Sequence, residues 1–168
     1  MYKKITIIII LVISLGMVLT GCGGGGGGES SLNSVEKEEV RMDVRSFVYD
    51  FVEYENTAEK EIEKLQNHIS SNAEITYIDE NGDVYYFSKE DYIDLAASLY
   101  SMGYYNDSNQ IENLVITVNS FSNANANFKI TSIWVDGENI IETSALIKAI
   151  LEKQSGKWVI VELRESTI

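Results

Sequence analysis

The sequence predicts an α+β domain with helices first and sheet last. Apolar residues recur at helical spacing from Val40 to Phe51, whereas the final third alternates apolar and polar residues between short turn signals. The turn chemistry agrees. The chain contains no proline, so glycine, asparagine, aspartate and serine must punctuate the periodic runs.

The elements follow in order. Val40, Val44, Phe47, Val48 and Phe51 share one helical face, with Glu38, Glu39, Arg41, Asp43, Arg45 and Glu53 largely elsewhere, which predicts a helix over 35–55. Asn56, with Glu59 three residues on, reads as the cap of a second helix over 57–69, striped by Ala58, Ile62, Leu65 and Ile69. Ala73–Asp79 alternates as a strand, Asn81-Gly82 is a hairpin turn, and Val84–Phe87 returns. The acidic run Asp79-Glu80-Asn81-Gly82-Asp83 lacks the ligand spacing of a calcium loop and is read as the turn alone. Ser88 and Asp91 cap a third helix carrying Tyr92, Leu95, Ala96, Leu99 and Tyr100, with Gly103 as its stop. Tyr104–Gln110 is expected as a loop. Strands over 111–119, 124–135, 140–152 and 157–164 are joined by Ser122-Asn123, Asp136-Gly137 and Ser155-Gly156, connections short enough to force antiparallel neighbours.

This order, with the closing run Gly156-Lys157-Trp158-Val159-Ile160-Val161-Glu162-Leu163, resembles the NTF2-like (SnoaL-like) superfamily. The resemblance spans 35–168. It implies a cone in which about three N-terminal helices pack on a curved, mostly antiparallel sheet that leaves a pocket at its wide end. It leaves function open, because the superfamily includes isomerases, dehydratases, hydrolases, transport factors and non-catalytic accessory domains.

The N-terminus supplies an address. Lys3 and Lys4 precede the apolar run Ile5–Leu19, the layout of a secretory signal peptide and short for a membrane span. Leu19-Thr20-Gly21-Cys22 then resembles the lipobox of bacterial lipoproteins. The resemblance implies cleavage after residue 21, lipid on Cys22, and a chain anchored at the extracytoplasmic face of the cell membrane. A diacylglycerol would supply the two chains that stable anchoring needs. Cys22 is the single cysteine, so the chain forms no internal disulfide. Residues 22–34 read as a tether, because Gly23–Gly28 offers no side chain to bury; such a coil reaches roughly 20 Å. The expected division is therefore 1–21 signal peptide, 22–34 lipidated tether and 35–168 folded domain.

Formal net charge is −13, and it becomes −15 without residues 1–21, which hold two lysines and no acid. A surface this acidic excludes nucleic acid as a partner. The sequence carries no metal or cofactor motif, so neither group is expected.

The candidates for chemistry are few. His68, the only histidine, falls at the expected end of the second helix, where a cation suits the helix dipole. Glu142 shares its strand face with Ser144 and Leu146, so it is a pocket carboxylate and candidate base if that face is concave, and a solvated residue if it is not. Phe47, Phe51, Tyr92, Phe128, Trp134 and Trp158 could line an apolar pocket or fill the core. Trp158 and Ile160 alternate with Val159, Val161 and Leu163, so the last strand is apolar on both faces. A homodimer through the outer sheet surface is the expected consequence. Three readings follow: a tethered domain binding a small ligand or envelope protein without catalysis, an enzyme using a pocket carboxylate, or a dimerising structural module.

Overall fold

The computed structural model describes residues 32–168; the expected signal peptide, Cys22 and the glycine run lie outside the described residues. Helix α1 (Ser34–Val52) starts where Asn33 can cap it. The Asn33 side-chain oxygen accepts from the backbone N–H of Val35 and Glu36 at 2.9 and 3.0 Å, while the Glu36 carboxylate accepts the Asn33 N–H at 2.8 Å. Leu32 before it is buried, so the fold begins slightly ahead of the expected boundary at 35. Val40, Val44, Val48 and Val52 form the buried stripe, and the helix stops at Val52 rather than 55.

Helix α2 (Ala58–His68) is capped by Thr57, whose hydroxyl accepts from the Lys60 N–H, and not by Asn56. Its fully buried residues are Glu61 and Lys64; of the expected stripe, Leu65 packs partly buried against the core and Ile69 is buried there but opens the following strand, while Ala58 is exposed. The Glu61 and Lys64 side chains pair at 3.4 Å and serve the backbone of the α1–α2 connection. Glu61 accepts the Glu55 N–H at 2.6 Å, and Lys64 donates to the Glu53 carbonyl. Burial of the charges is tolerated because each satisfies main-chain groups that the turn would otherwise strand.

Strands β1 (Ile69–Ile78) and β2 (Val84–Phe87) form the expected hairpin, with one Asp79 carboxylate oxygen accepting the N–H groups of Asn81 and Asp83 at 2.9 Å each. Helix α3 (Lys89–Ser101) has the expected Ser88–Asp91 capping box. Gly103, at φ +93°, then turns the chain directly into β3 (Tyr104–Val118). Tyr104–Gln110 is thus strand, not loop. A glycine that reverses the chain in one step leaves no residues over for a connection. β4 (Asn123–Asp136), β5 (Asn139–Gln154) and β6 (Lys157–Thr167) complete one sheet in the order β2-β1-β6-β5-β4-β3. All its pairings are antiparallel except β1–β6, which is parallel.

The core lies on one face of this sheet. Ala124, Ala126 and Phe128 of β4, Ala145, Ile147, Ala149 and Leu151 of β5, and Trp158, Ile160 and Leu163 of β6 enclose the α1 valines. One irregularity shapes that face. Opposite Ile150 and Leu151, strand β6 presents Glu162 and Ile160, so Val161 is an extra, bulged residue. The bulge shifts the alternation by one, and Leu163 joins Trp158 and Ile160 on the inner face instead of opposing them. The expected faces of β6 are corrected accordingly: Leu163 belongs to the inner face, and Val159 and the bulged Val161 are partly buried.

Candidate functional site

The bulge has a second consequence. Beyond it, Leu163, Glu165 and Thr167 all fall on the inner face, so β6 turns a carboxylate toward α3. Register places Glu165 between Ile147 of β5 and Tyr77 of β1, and Tyr77 is in turn opposite Tyr85 of β2. From the first turn of α3, the Tyr92 hydroxyl donates to Glu165 Oε2 at 3.4 Å. The Tyr77 and Thr167 hydroxyls bond each other at 3.0 Å. Aromatic rings complete the surroundings: Tyr77 and Tyr85 lie 6.1 Å apart between centroids, Phe87 and Tyr92 6.4 Å.

Electrostatics follow from that packing. Burial pushes the Glu165 carboxyl above its ordinary range, and the hydrogen bond from Tyr92 offsets part of the rise. Burial, and then the neighbouring Glu165 charge, push the Tyr92 phenol well above its usual value. Among the described residues no lysine, arginine or histidine forms an ion pair with Glu165. The group is a carboxyl with raised proton affinity in an aromatic setting, able as the carboxylate to accept a hydrogen bond or a proton.

The other end of α3 meets a second polar cluster. The Tyr100 ring lies 6.4 Å from that of Trp134, and burial, then the charge of Glu61, raise the Tyr100 phenol. Asn106, opposite Trp134 in the β3–β4 register, is 7% exposed. Its amide donates to Asn109 Oδ1 at 2.8 Å, Asn109 donates to the Val52 carbonyl at 2.8 Å, and Asn106 Oδ1 is left without a partner. Ser132, opposite Asn109, is also buried. The end of the inner face beneath α3 is therefore polar.

Comparison with known proteins comes from structure alone. No family model and no curated protein matches the sequence. A candidate scytalone dehydratase from Novosphingobium aromaticivorans superposes with a TM-score of 0.63 at 15% identity, over 80% of this chain and 88% of that one. LinA gives 0.59 at 18% identity over 80% and 89%, and an NTF2-like protein of unknown function from Prochlorococcus sp. NATL2A gives 0.58 at 13% over 76% and 91%. The fold is NTF2-like. At these identities the likeness is one of architecture.

Within this NTF2-like frame the residues singled out in the sequence do not converge on one pocket. Phe128 and Trp158 are core, the latter with Lys153 Nζ 5.1 Å over its ring. Phe47 and Phe51 stack on each other and flank His68, at 5.1 and 6.0 Å. Trp134 meets Tyr100, and only Tyr92 reaches Glu165. Glu142 is exposed; the inner face of β5 is that of Ala145, Ile147, Ala149 and Leu151, so Glu142 lies on the outer, solvated side. His68 ends α2 as expected, its Nδ1 2.8 Å from the Lys64 carbonyl and its Nε2 2.8 Å from Asp50 of α1.

Glu165 was not legible in the sequence. Strict alternation from Trp158 would have turned it outward, and nothing in Val159-Ile160-Val161 announces a bulge. Two open surface concavities, about 500 Å³ along α1 and about 440 Å³ at Asn119–Asn123, lie away from it. Among the described residues no group of three or more histidine, aspartate or glutamate side chains is placed to hold a metal, and no helix is long and apolar enough to cross a membrane.

Proposed function

We propose that this protein is a lipoprotein held at the extracytoplasmic face of the membrane through Cys22, whose NTF2-like domain takes a small ligand beneath α3 without catalysing its conversion. The observation that carries the reading is the inward-facing Glu165 with Tyr92, Tyr77 and Thr167 around it. A desolvated carboxyl and hydroxyls set among aromatic rings are the groups by which a largely apolar site orients a ligand. His68, the one histidine and the usual partner in acid–base work, is engaged between Asp50 and the Lys64 carbonyl, on other elements. The address rests on the lipobox-like residues, and a membrane fractionation tests it. Wild type should pellet with membranes and Cys22→Ser should not; membrane retention of the variant refutes the anchor.

A fragment screen by NMR on the full chain in non-ionic detergent tests the site. Hits should shift α3, β1 and β6 amides and weaken with Glu165→Ala; hits scattered over the surface, or none, overturn the reading. An enzyme is the second reading, favoured by the raised proton affinity of Glu165, which would then replace Glu142 as the base. The outer sheet face, with Ile140 and Leu146 exposed, would seat a second copy of the chain. A monomer mass independent of concentration in ultracentrifugation removes that partner.

A further inference from the structure

The chemistry around Glu165 narrows what the site would take. An anion would meet both the carboxylate and the negative faces of aromatic rings. A purely apolar ligand would strip the remaining water from this partly buried carboxylate and leave it unpaired, a costly arrangement for a charge. A cation reverses both penalties. We propose that the ligand is a primary ammonium on a short apolar stem, its nitrogen against Glu165 and its stem among Tyr77, Tyr85, Phe87 and Tyr92; this rests on the reading that the space beneath α3 is a binding site.

Three further observations agree. First, Glu165 spends Oε2 on Tyr92, and the residue is only partly buried, which leaves Oε1 open to a ligand. An ammonium has three N–H donors, and that oxygen together with the Tyr77 and Thr167 hydroxyl oxygens supplies acceptors of the right kind. Second, the nearby cation of α3 is already committed. Lys89 donates to the carbonyls of Gln66 and Ile69 at 2.6 and 2.7 Å, and among the described residues no cationic side chain forms an ion pair with Glu165. Third, a formal net charge of −13 concentrates cations around the domain before any contact is made. The elevated proton affinity of Glu165 adds a pH signature. The ammonium needs the carboxylate ionised, so affinity rises as pH climbs through the raised carboxyl range.

The test uses the full chain in non-ionic detergent and three probes of one shape: n-butylammonium, n-butanol and butyrate. Amide shifts in α3, β1, β2 and β6 report occupancy. Butylammonium should saturate them, with n-butanol roughly tenfold weaker or worse, and Glu165→Gln should lower the butylammonium affinity by roughly tenfold while leaving n-butanol unchanged. A melting curve for Glu165→Gln confirms that the variant is folded. Equal affinity for the alcohol and the ammonium, tighter binding of butyrate, or an unchanged ammonium affinity in Glu165→Gln overturns the cation while leaving the site standing. Absence of saturable shifts with all three probes overturns the site as well.

Discussion

The two ends of the inner sheet face are made of different matter. Along α1, Val40, Val44 and Val48 are enclosed with Ala124, Ala126, Ala149, Leu151 and Ile160, side chains without a polar atom. Beneath α3, the same face presents Glu165, Thr167, Tyr77, Ser132 and Asn106, and the helix above contributes two tyrosine hydroxyls. Small residues on β4 and β5 let α1 sit close, so that end gains its stability from contact. The α3 end spends burial on groups that want hydrogen bonds, and it leaves Asn106 Oδ1 without one. The contrast separates an apolar end that holds the fold from a polar end whose hydrogen-bonding groups are not all satisfied.

Substitutions at the two ends should therefore differ in kind and in size. The largest loss is expected at Leu151, which is fully enclosed; Leu151→Ala should lower unfolding free energy by about 3 kcal/mol in urea denaturation. Overfilling the same end should come next. Ala126, equally enclosed, has no room for three more carbons, and Ala126→Leu should cost about 2 kcal/mol by the same assay. At the other end, Ser88→Ala removes the cap of α3 and should cost about 1 kcal/mol, with faster amide exchange confined to α3. Glu165→Gln should have the smallest effect and the opposite sign. Its folded carboxyl binds protons more tightly than the unfolded one, so the wild type loses stability as pH rises above the ordinary value of 4.5. The variant should therefore be the more stable near neutral pH and match wild type in acid, in melts run across pH.

What the sequence made legible is whatever local chemistry decides. The α1 stripe, the Ser88–Asp91 box and the Asn81-Gly82 turn all depend on residues within a few positions of each other, and each stands in the structure as read. The losses have non-local causes. Thr57 displaced Asn56 as a cap, and Glu61 and Lys64 became buried, because the α1–α2 connection needed donors and acceptors that only the packed turn reveals. The parallel β1–β6 pair joins segments from opposite ends of the domain, beyond the reach of turn signals. Alternation identified the two faces of β5 but could not say which was inner, so Glu142 stayed an open candidate. On β6, one bulged valine reversed the parity and hid Glu165.

Whether the Glu165 carboxyl is desolvated and open to an amine is read from its own titration. In NMR of the full chain with carboxyl-labelled glutamate, the Glu165 resonance should titrate above 4.5, and its midpoint should fall when n-butylammonium is added. A midpoint at or below 4.5 that ignores the amine would contradict the account.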